Sequence, residues 1–257
     1  LHHGAPSVTG PHAGVGEIFV GTAVTHPEAG TSGISSFILT KETCDLPRAI
    51  QVGVGHSTEL CPLKGFTSGR KEDKLGWRSS DTRELLFNDV EVPAENRLGE
   101  EGAGFVNFMR TLDAGRIGIA SLSLGLAQGA FDLALQYAST RKQFGKPIAE
   151  FQGVQFQLSD IATELEAARH LVYHAAWLAQ NGFPFSKEAA MAKLFCSEMA
   201  MRATTKAIQI HGGYGYTKEY PVERMMRDAK IGEIGEGTSE IQRIVIARHL
   251  LKDLVAI

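Results

Sequence analysis

From Gly102 onward, apolar residues return at steps of three and four: Val154, Leu158, Ile161, Leu165, Ala168, Val172, Ala175 and Ala179 form one unbroken series. That spacing lines up side chains on a single face of an α-helix, and a stripe this long must be covered by other helices. The pattern predicts helices over about 103–140, 151–181, 186–211 and 239–253, with a short one over 222–228. Gly212-Gly213 stand where the third should stop, as glycines past a helix C-terminus commonly do. Four long helices with short connections read as an up-and-down four-helix bundle. The first is apolar nearly all round over 117–126, so a central position is expected for it. Before residue 98 the period is different. Short β-branched and aromatic runs at 17–20, 34–39 and 84–92 lie among Gly, Pro and Thr, which reads as β. The expected fold is α+β, predominantly α: a small β-barrel or sandwich-like domain over 1–98, then a helical bundle over 99–257.

Charge and cysteine content narrow the function classes. A formal charge of −3 gives no electrostatic case for nucleic acid. No basic run suggests a membrane surface, and no uninterrupted apolar stretch is long enough to span a bilayer. Small molecules and proteins are the expected partners. The three cysteines, Cys44, Cys61 and Cys196, are an odd number without C-x-x-C spacing, which argues against a zinc site or disulfide framework and for a reducing compartment. No metal site is expected. The start, Leu1-His2-His3-Gly4, lacks the basic and apolar regions of a secretory signal. A nucleophile elbow, a Walker loop and H-E-x-x-H are all absent, and no G-x-G-x-x-G follows a strand in the first half.

Four constellations carry chemistry. Glu236 lies between Gly235 and Gly237 just before Ser239-x-x-Gln242, which reads as a capping box opening a helix over 241–251. The carboxylate would then sit beside the helix's positive end, with room for a ligand against the glycine backbone. Either it is a solvated loop glutamate or it is a base. Asp113 and Arg116, three residues apart on the first helix, face one way amid Phe108, Met109, Leu112, Ile117 and Ile119. They form an ion pair or fix a polar ligand between helices. The run Arg141-Lys142-Gln143-Phe144-Gly145-Lys146-Pro147 is either a basic helix end complementing its dipole or a loop for a planar, phosphate-bearing cofactor. In Gln209-Ile210-His211-Gly212-Gly213-Tyr214-Gly215-Tyr216, three glycines within four residues let backbone amides approach a ligand, although a plain C-cap accounts for one or two of them. His211 has no companion at metal-ligand spacing and reads as structural or as a hydrogen-bond donor.

In this order, the segments resemble the acyl-CoA dehydrogenase family, and within it the short-chain, butyryl-type branch. The resemblance rests on Phe108-Met109-x-x-Leu112-Asp113-x-x-Arg116-Ile117-x-Ile119-Ala120, Arg141-x-x-Phe144-Gly145, the run from Lys187 to Lys193, and Gln209-x-x-Gly212-Gly213-x-Gly215-Tyr216. Glu219-Tyr220-Pro221, Arg227-Asp228-Ala229-Lys230 and the Glu236 run follow. It is continuous from about Lys71 to Asp253. It implies FAD chemistry: a glutamate removes the pro-R α-proton of an acyl-CoA thioester while the β-hydrogen passes as hydride to the flavin, giving a trans-2-enoyl-CoA. Electrons then go to an electron-transfer flavoprotein. Glu236 matches the base, and its backbone N–H with a flavin hydroxyl matches the donors to the thioester oxygen. Desolvation by the acyl chain should raise its basicity. Branches of the isovaleryl type carry the base just before the arginine matching Arg116. Here that residue is Gly115, which leaves Glu236.

By the same carry-over, Asp113 and Arg116 match substrate-CoA contacts and Gly237 a backbone contact to substrate. Arg141, Phe144, Gln209, Gly212, Gly213, Thr238 and Glu240 match positions that hold FAD. Arg141 and the Gln209 loop usually serve a neighbouring subunit's flavin, so an oligomer is expected, a dimer of dimers. The resemblance also implies the cytoplasm of a bacterium or the mitochondrial matrix of a eukaryote.

The family pattern is departed from in the first half. A helical domain ahead of the β-domain is expected and is not contained in this sequence. Of the two usual flavin segments of the β-domain, only Val8-Thr9 before His12-Ala13-Gly14 hints at one, and His26 stands where an Asp is common. About twenty residues, 44–64, are inserted between Thr43 and Gly65. These departures keep a second reading open, a non-catalytic fragment or assembly module without a complete flavin site. A third, an acyl-CoA oxidase, would release peroxide.

Overall fold

A computed structural model of the chain describes residues 8–10, 15–41, 48–51, 57–60 and 62–252. Its contacts divide into two units, Leu1–Arg110 and Thr111–Ile257. The first two turns of the long helix α1 (Gly104–Thr140) therefore group with the strands. Ala103 makes an isolated parallel bridge with Ile34, and the Gly102 N–H donates to Ser35 Oγ at 3.0 Å.

In the first unit, β1 (Val8–Gly10), β6 (Phe66–Lys71) and β7 (Arg83–Phe87) form one antiparallel sheet in the order β1-β7-β6. A second sheet, β2-β3-β8, is built from β2 (Ile18–Val24), β3 (Ile34–Thr40) and β8 (Arg97–Leu98). Phe66, fully buried, stacks on Phe87 at 4.6 Å and meets the edge of Phe19 at 5.4 Å, with Leu39, Leu63 and Val90 around it. The cluster draws on both sheets, and each such side chain taken from water contributes about 1.5–3 kcal/mol. The barrel part of the expected fold is not shown: among the described residues every sheet is open, with no closing strand pair. The inserted stretch contains a hairpin of its own, β4 (Arg48–Gln51) paired antiparallel with β5 (Ser57–Leu60), Arg48 opposite Leu60. Cys44, Cys61 and the His12-Ala13-Gly14 hint of a flavin segment lie outside the described residues.

The second unit is helical. After residues 111–140 of α1 come the small hairpin β9 (Lys142–Gln143) and β10 (Lys146–Pro147), then α2 (Gln152–Gln180), α3 (Ser186–His211), α4 (Val222–Ala229) and α5 (Ser239–Leu251). These bounds fall within two residues of the sequence expectation. Leu158, Ile161, Leu165, Ala168, Val172 and Ala175 of α2 are all buried, as their spacing predicts. Their partners on α1 and α3 are largely alanines, among them Ala120, Ala127, Ala192, Ala200 and Ala203, which let the helix backbones approach closely.

The expectation of a central α1 is corrected. Leu122 and Leu135 on α1 are exposed, and α3 is the most enclosed helix, with Lys193, Ser197, Thr204 and His211 buried beside its apolar residues. The polar groups hid that burial from a hydropathy pattern. They are accommodated because Ser197, Thr204 and His211 each donate to a carbonyl four residues back, at 2.7, 2.7 and 2.8 Å. The bilayer expectation also changes: α1 is long and apolar enough to cross a membrane by length and composition, as core helices of bundles can be. Cys196 is buried in the bundle, which pushes its thiol up to about 12 and leaves it unreactive at neutral pH.

Candidate functional site

Residues 234–238 join a 3-10 turn, Lys230–Glu233, to α5. Two consecutive residues there take left-handed backbone conformations, Glu236 at φ 55° and Gly237 at φ 89°. For glycine this is ordinary. For glutamate it costs about 1–3 kcal/mol and persists only where the surroundings fix it. They do so from two helices. Lys193 Nζ on α3 donates to the Gly237 carbonyl at 2.6 Å, and Gln242 Nε2 on α5 donates to the Gly237 and Glu236 carbonyls at 2.8 and 3.2 Å. Both donors are fully buried. A Cβ on residue 237 would lie 2.9 Å from Gln242 Nε2, so close approach as well as φ calls for glycine.

The result is a carboxylate aimed at α1. A Cβ placed on Gly115 would lie 2.6 Å from Glu236 Oε2 and 3.0 Å from its Cδ, so the carboxylate occupies the space that a side chain at 115 would take. One residue on, Arg116 is 5% exposed, and its Nη1 donates to Asp113 Oδ1, which also accepts from Ser186 Oγ at 2.9 Å. Asp113 and Arg116 thus form an ion pair. The pair is not saturated: Arg116 Nε is buried without a hydrogen-bond partner among the described residues, an arrangement that fits a group with a further polar contact to make.

Thr238 caps α5, its hydroxyl accepting from the Ile241 N–H at 3.5 Å. This corrects the capping-box expectation, which put Ser239 in that place and began the helix at Ile241. With Thr238 as the cap, Gln242 falls one residue beyond the position that reaches back to the cap's own N–H, and its amide turns to the loop carbonyls. The Glu240 carboxyl is held below the usual range by its own backbone N–H and by the Thr238 hydroxyl. Lys193 is pushed down to about 8, first by burial and then by the Arg116 guanidinium.

The other expected residues gather elsewhere on the same unit. Arg141, Gly212 and Gly213 line an open cleft of about 540 Å³ together with Tyr137, His211 and Tyr214. Arg141 lies over the Tyr214 ring at 5.8 Å, and a Cβ on Gly212 or Gly213 would meet nothing within 4 Å, so the backbone there is open to a ligand. Gln209 and Phe144 are not part of that lining. Gln209 is exposed on the last turn of α3. Phe144 and Gly145 form the two-residue turn between β9 and β10 with φ 52° and 83°, both left-handed, the geometry that twisted hairpins favour. Phe144 is 93% exposed on that turn. An apolar ring held outward on a disfavoured backbone is a feature of binding surfaces. Arg141 follows the end of α1, roughly 38 Å along the helix axis from Gly115 at 1.5 Å per residue. The two groups of residues therefore stand at separate places along one helix.

Sequence reasoning missed Lys193 and Gln242 as supports of the Glu236 loop, and Ser186 as a donor to Asp113. In the sequence Lys193 is the last residue of the Lys187–Lys193 run, and Gln242 reads as part of a capping box.

Residues 102–251 match the family described as "Acyl-CoA dehydrogenase, C-terminal domain". A short-chain specific acyl-CoA dehydrogenase of Clostridium acetobutylicum is 49% identical over 241 residues, covering 94% of this chain and 58% of that protein. A subunit of the caffeyl-CoA reductase-Etf complex of Acetobacterium woodii is 48% identical over 230 residues, 90% of this chain and 55% of its own length. The solved structure of butyryl-CoA dehydrogenase from Megasphaera elsdenii superposes with a TM-score of 0.84 at 47% identity, over 95% of this chain and 60% of that one. The chain thus spans between 46% and 58% of the length of the curated relatives it matches here.

Proposed function

The chain belongs to the acyl-CoA dehydrogenase family, and from that premise we propose that it supplies the base and much of the substrate site of an FAD-dependent short-chain acyl-CoA dehydrogenase. The observation that carries the reading is the Glu236 carboxylate, set on left-handed backbone against the open face of Gly115. In this reading the acyl α-carbon lies beside that carboxylate, and Glu236 takes the α-proton while the β-hydrogen leaves with its electron pair, giving the trans-2-enoyl-CoA. The α-proton is weakly acidic until charge on the thioester oxygen is stabilised, so the base must be held in place before reaction. The backbone at 236–237 would lie against the thioester, and Asp113 with Arg116 would hold the CoA portion. Bound FAD would supply the acceptor for the β-hydrogen. The similarity to an Etf-complex subunit supports an electron-transfer flavoprotein as the partner that takes the electrons onward.

The residues fit such a cofactor in two places. Thr238 and Glu240 stand beside Glu236, while Arg141, Gly212 and Gly213 line the open cleft at the other end of α1, with Gln209 and the outward ring of Phe144 exposed outside that lining. The guanidinium and bare glycine backbone of that cleft suit a pyrophosphate. Because the half-sites are roughly 38 Å apart along one helix, each FAD would be shared by two chains. The working form is then at least a dimer, in which reciprocal sharing uses every half-site, and two such dimers would make the dimer of dimers expected of the family.

Purified protein should be yellow, and its flavin absorbance should bleach on addition of butyryl-CoA. Protein that stays colourless after FAD is added would favour the assembly-module reading. Sharing is tested by mixing subunits: Glu236→Gln and Arg141→Glu variants, each inactive alone, should regain roughly a quarter of wild-type activity when unfolded and refolded together. No recovery would place the two half-sites at different tasks. Phe144→Gly should leave thermal stability equal or higher, since a non-glycine residue gives up about 1 kcal/mol in a left-handed conformation, and should weaken FAD retention about tenfold on desalting.

A further inference from the structure

A lysine buried in a helical bundle ordinarily meets a carboxylate. Lys193 makes no close ion pair among the described residues: its one hydrogen-bond partner there is an uncharged backbone carbonyl, that of Gly237, 44 residues further along the chain. If packing were all that the position required, an apolar side chain of similar length would serve as well or better, because buried charge opposes folding. What the cation does is specific to the loop. A charge-assisted donor on the Gly237 carbonyl, together with the Gln242 amide on both loop carbonyls, fixes the two consecutive left-handed residues from beneath. The Glu236 side chain departs from the first of them toward Gly115. Rotating that peptide would carry the carboxylate off the face of α1.

We propose that Lys193 is a positioning residue for the α-proton transfer, holding the Glu236–Gly237 turn by its ammonium so that the carboxylate is presented at Gly115. The proposal rests on the reading of Glu236 as the base. The groups facing Lys193 are Arg116 from α1, Glu233 from the turn before the loop, Glu236 itself and Glu240 from α5. Burial and Arg116 bring its titration to about 8, the three glutamates opposing them. The sign follows. Between about 8 and the ordinary lysine value the unfolded chain binds the extra proton, so stability does not fall as the pH rises through this range. The hold on the loop does fall, because a neutral amine is the weaker donor. Flavin reduction should therefore decline above pH 8 while the protein remains folded.

The test is Lys193→Met in the holoenzyme, beside wild type and Glu236→Gln, with four measurements: the melting temperature, binding of the unreactive thioether butyl-CoA, hydrogen exchange over residues 234–238, and the rate of flavin reduction by butyryl-CoA from pH 6 to 10. The expected result is a melting temperature at pH 7 within 3 °C of wild type or above it, and thioether binding within threefold. Exchange in the loop should be at least tenfold faster, and reduction at least thirtyfold slower without the alkaline decline near pH 8. Reduction within threefold of wild type would overturn the proposal, as would a wild-type rate that shows no fall between pH 7 and 9. The second outcome decides the matter even if the variant does not fold. Should Glu236→Gln still reduce its flavin, the base assignment fails instead. If that variant is dead while Lys193→Met is active, only the positioning role is lost.

Discussion

Glu236→Gln is expected to slow flavin reduction by butyryl-CoA by about 10⁴-fold, the upper range for loss of a general base, while the protein stays yellow and folded. Glutamine keeps the length and shape of the side chain, so the left-handed turn, the Thr238 cap and the hydrogen bonds from Lys193 and Gln242 to the loop carbonyls are left in place. What is removed is the acceptor for a proton. Stopped-flow absorbance of the flavin separates this from a binding defect, since substrate affinity should change little. Reduction at near wild-type rate would exclude Glu236 as the base, and Gly115, which has no side chain, could not replace it.

Gly115→Ala is expected to lower the reduction rate by about 100-fold and yet leave the protein as stable or more so. The two signs come from different places. In the interior of a helix, alanine is better than glycine by about 1 kcal/mol. The new Cβ, however, would stand 2.6 Å from Glu236 Oε2, nearer than such atoms can lie. The obstruction is the far end of a flexible side chain, so the carboxylate moves and the backbone does not. Displacement of a reacting group by about 1 Å can cost 10²-fold in rate. Thermal unfolding and single-turnover kinetics on the same preparation check both signs. A variant that lost stability and kept its rate would show that the carboxylate does not lie on Gly115 during reaction.

These two residues also mark how far the sequence could be read. Their relation was visible as an either-or: a base before Arg116 or a base in the loop, with Gly115 deciding for Glu236. That the two positions share one volume was not visible, because 121 residues separate them. The helices of the bundle were legible to within two residues, since 3.6-residue periodicity is a local property. The depth of α3 was not, because its buried Lys193, Ser197, Thr204 and His211 carry the hydropathy of a surface. Only satisfied backbone acceptors show why they are inside. Gln242 was misread for a related reason: a glutamine near a helix start has two sets of loop groups in reach, and a one-residue shift of the cap from Ser239 to Thr238 redirects it.

The sequence by itself determined the predominantly α character, the helix bounds, the family and Glu236 as the candidate base. The helical character and bounds rest on spacing along the chain, and the family and Glu236 as the candidate base on the resemblance of ordered motifs. The tertiary structure decided which helix is enclosed, that the strands form open sheets, and that Arg141 stands far along α1 from Glu236. It also decided that the turn carrying the carboxylate is held from beneath by Lys193 and Gln242. The reason is physical: periodicity reports which face of an element avoids water, whereas a hydrogen bond from a buried ammonium to a carbonyl 44 residues away exists only once the helices have packed.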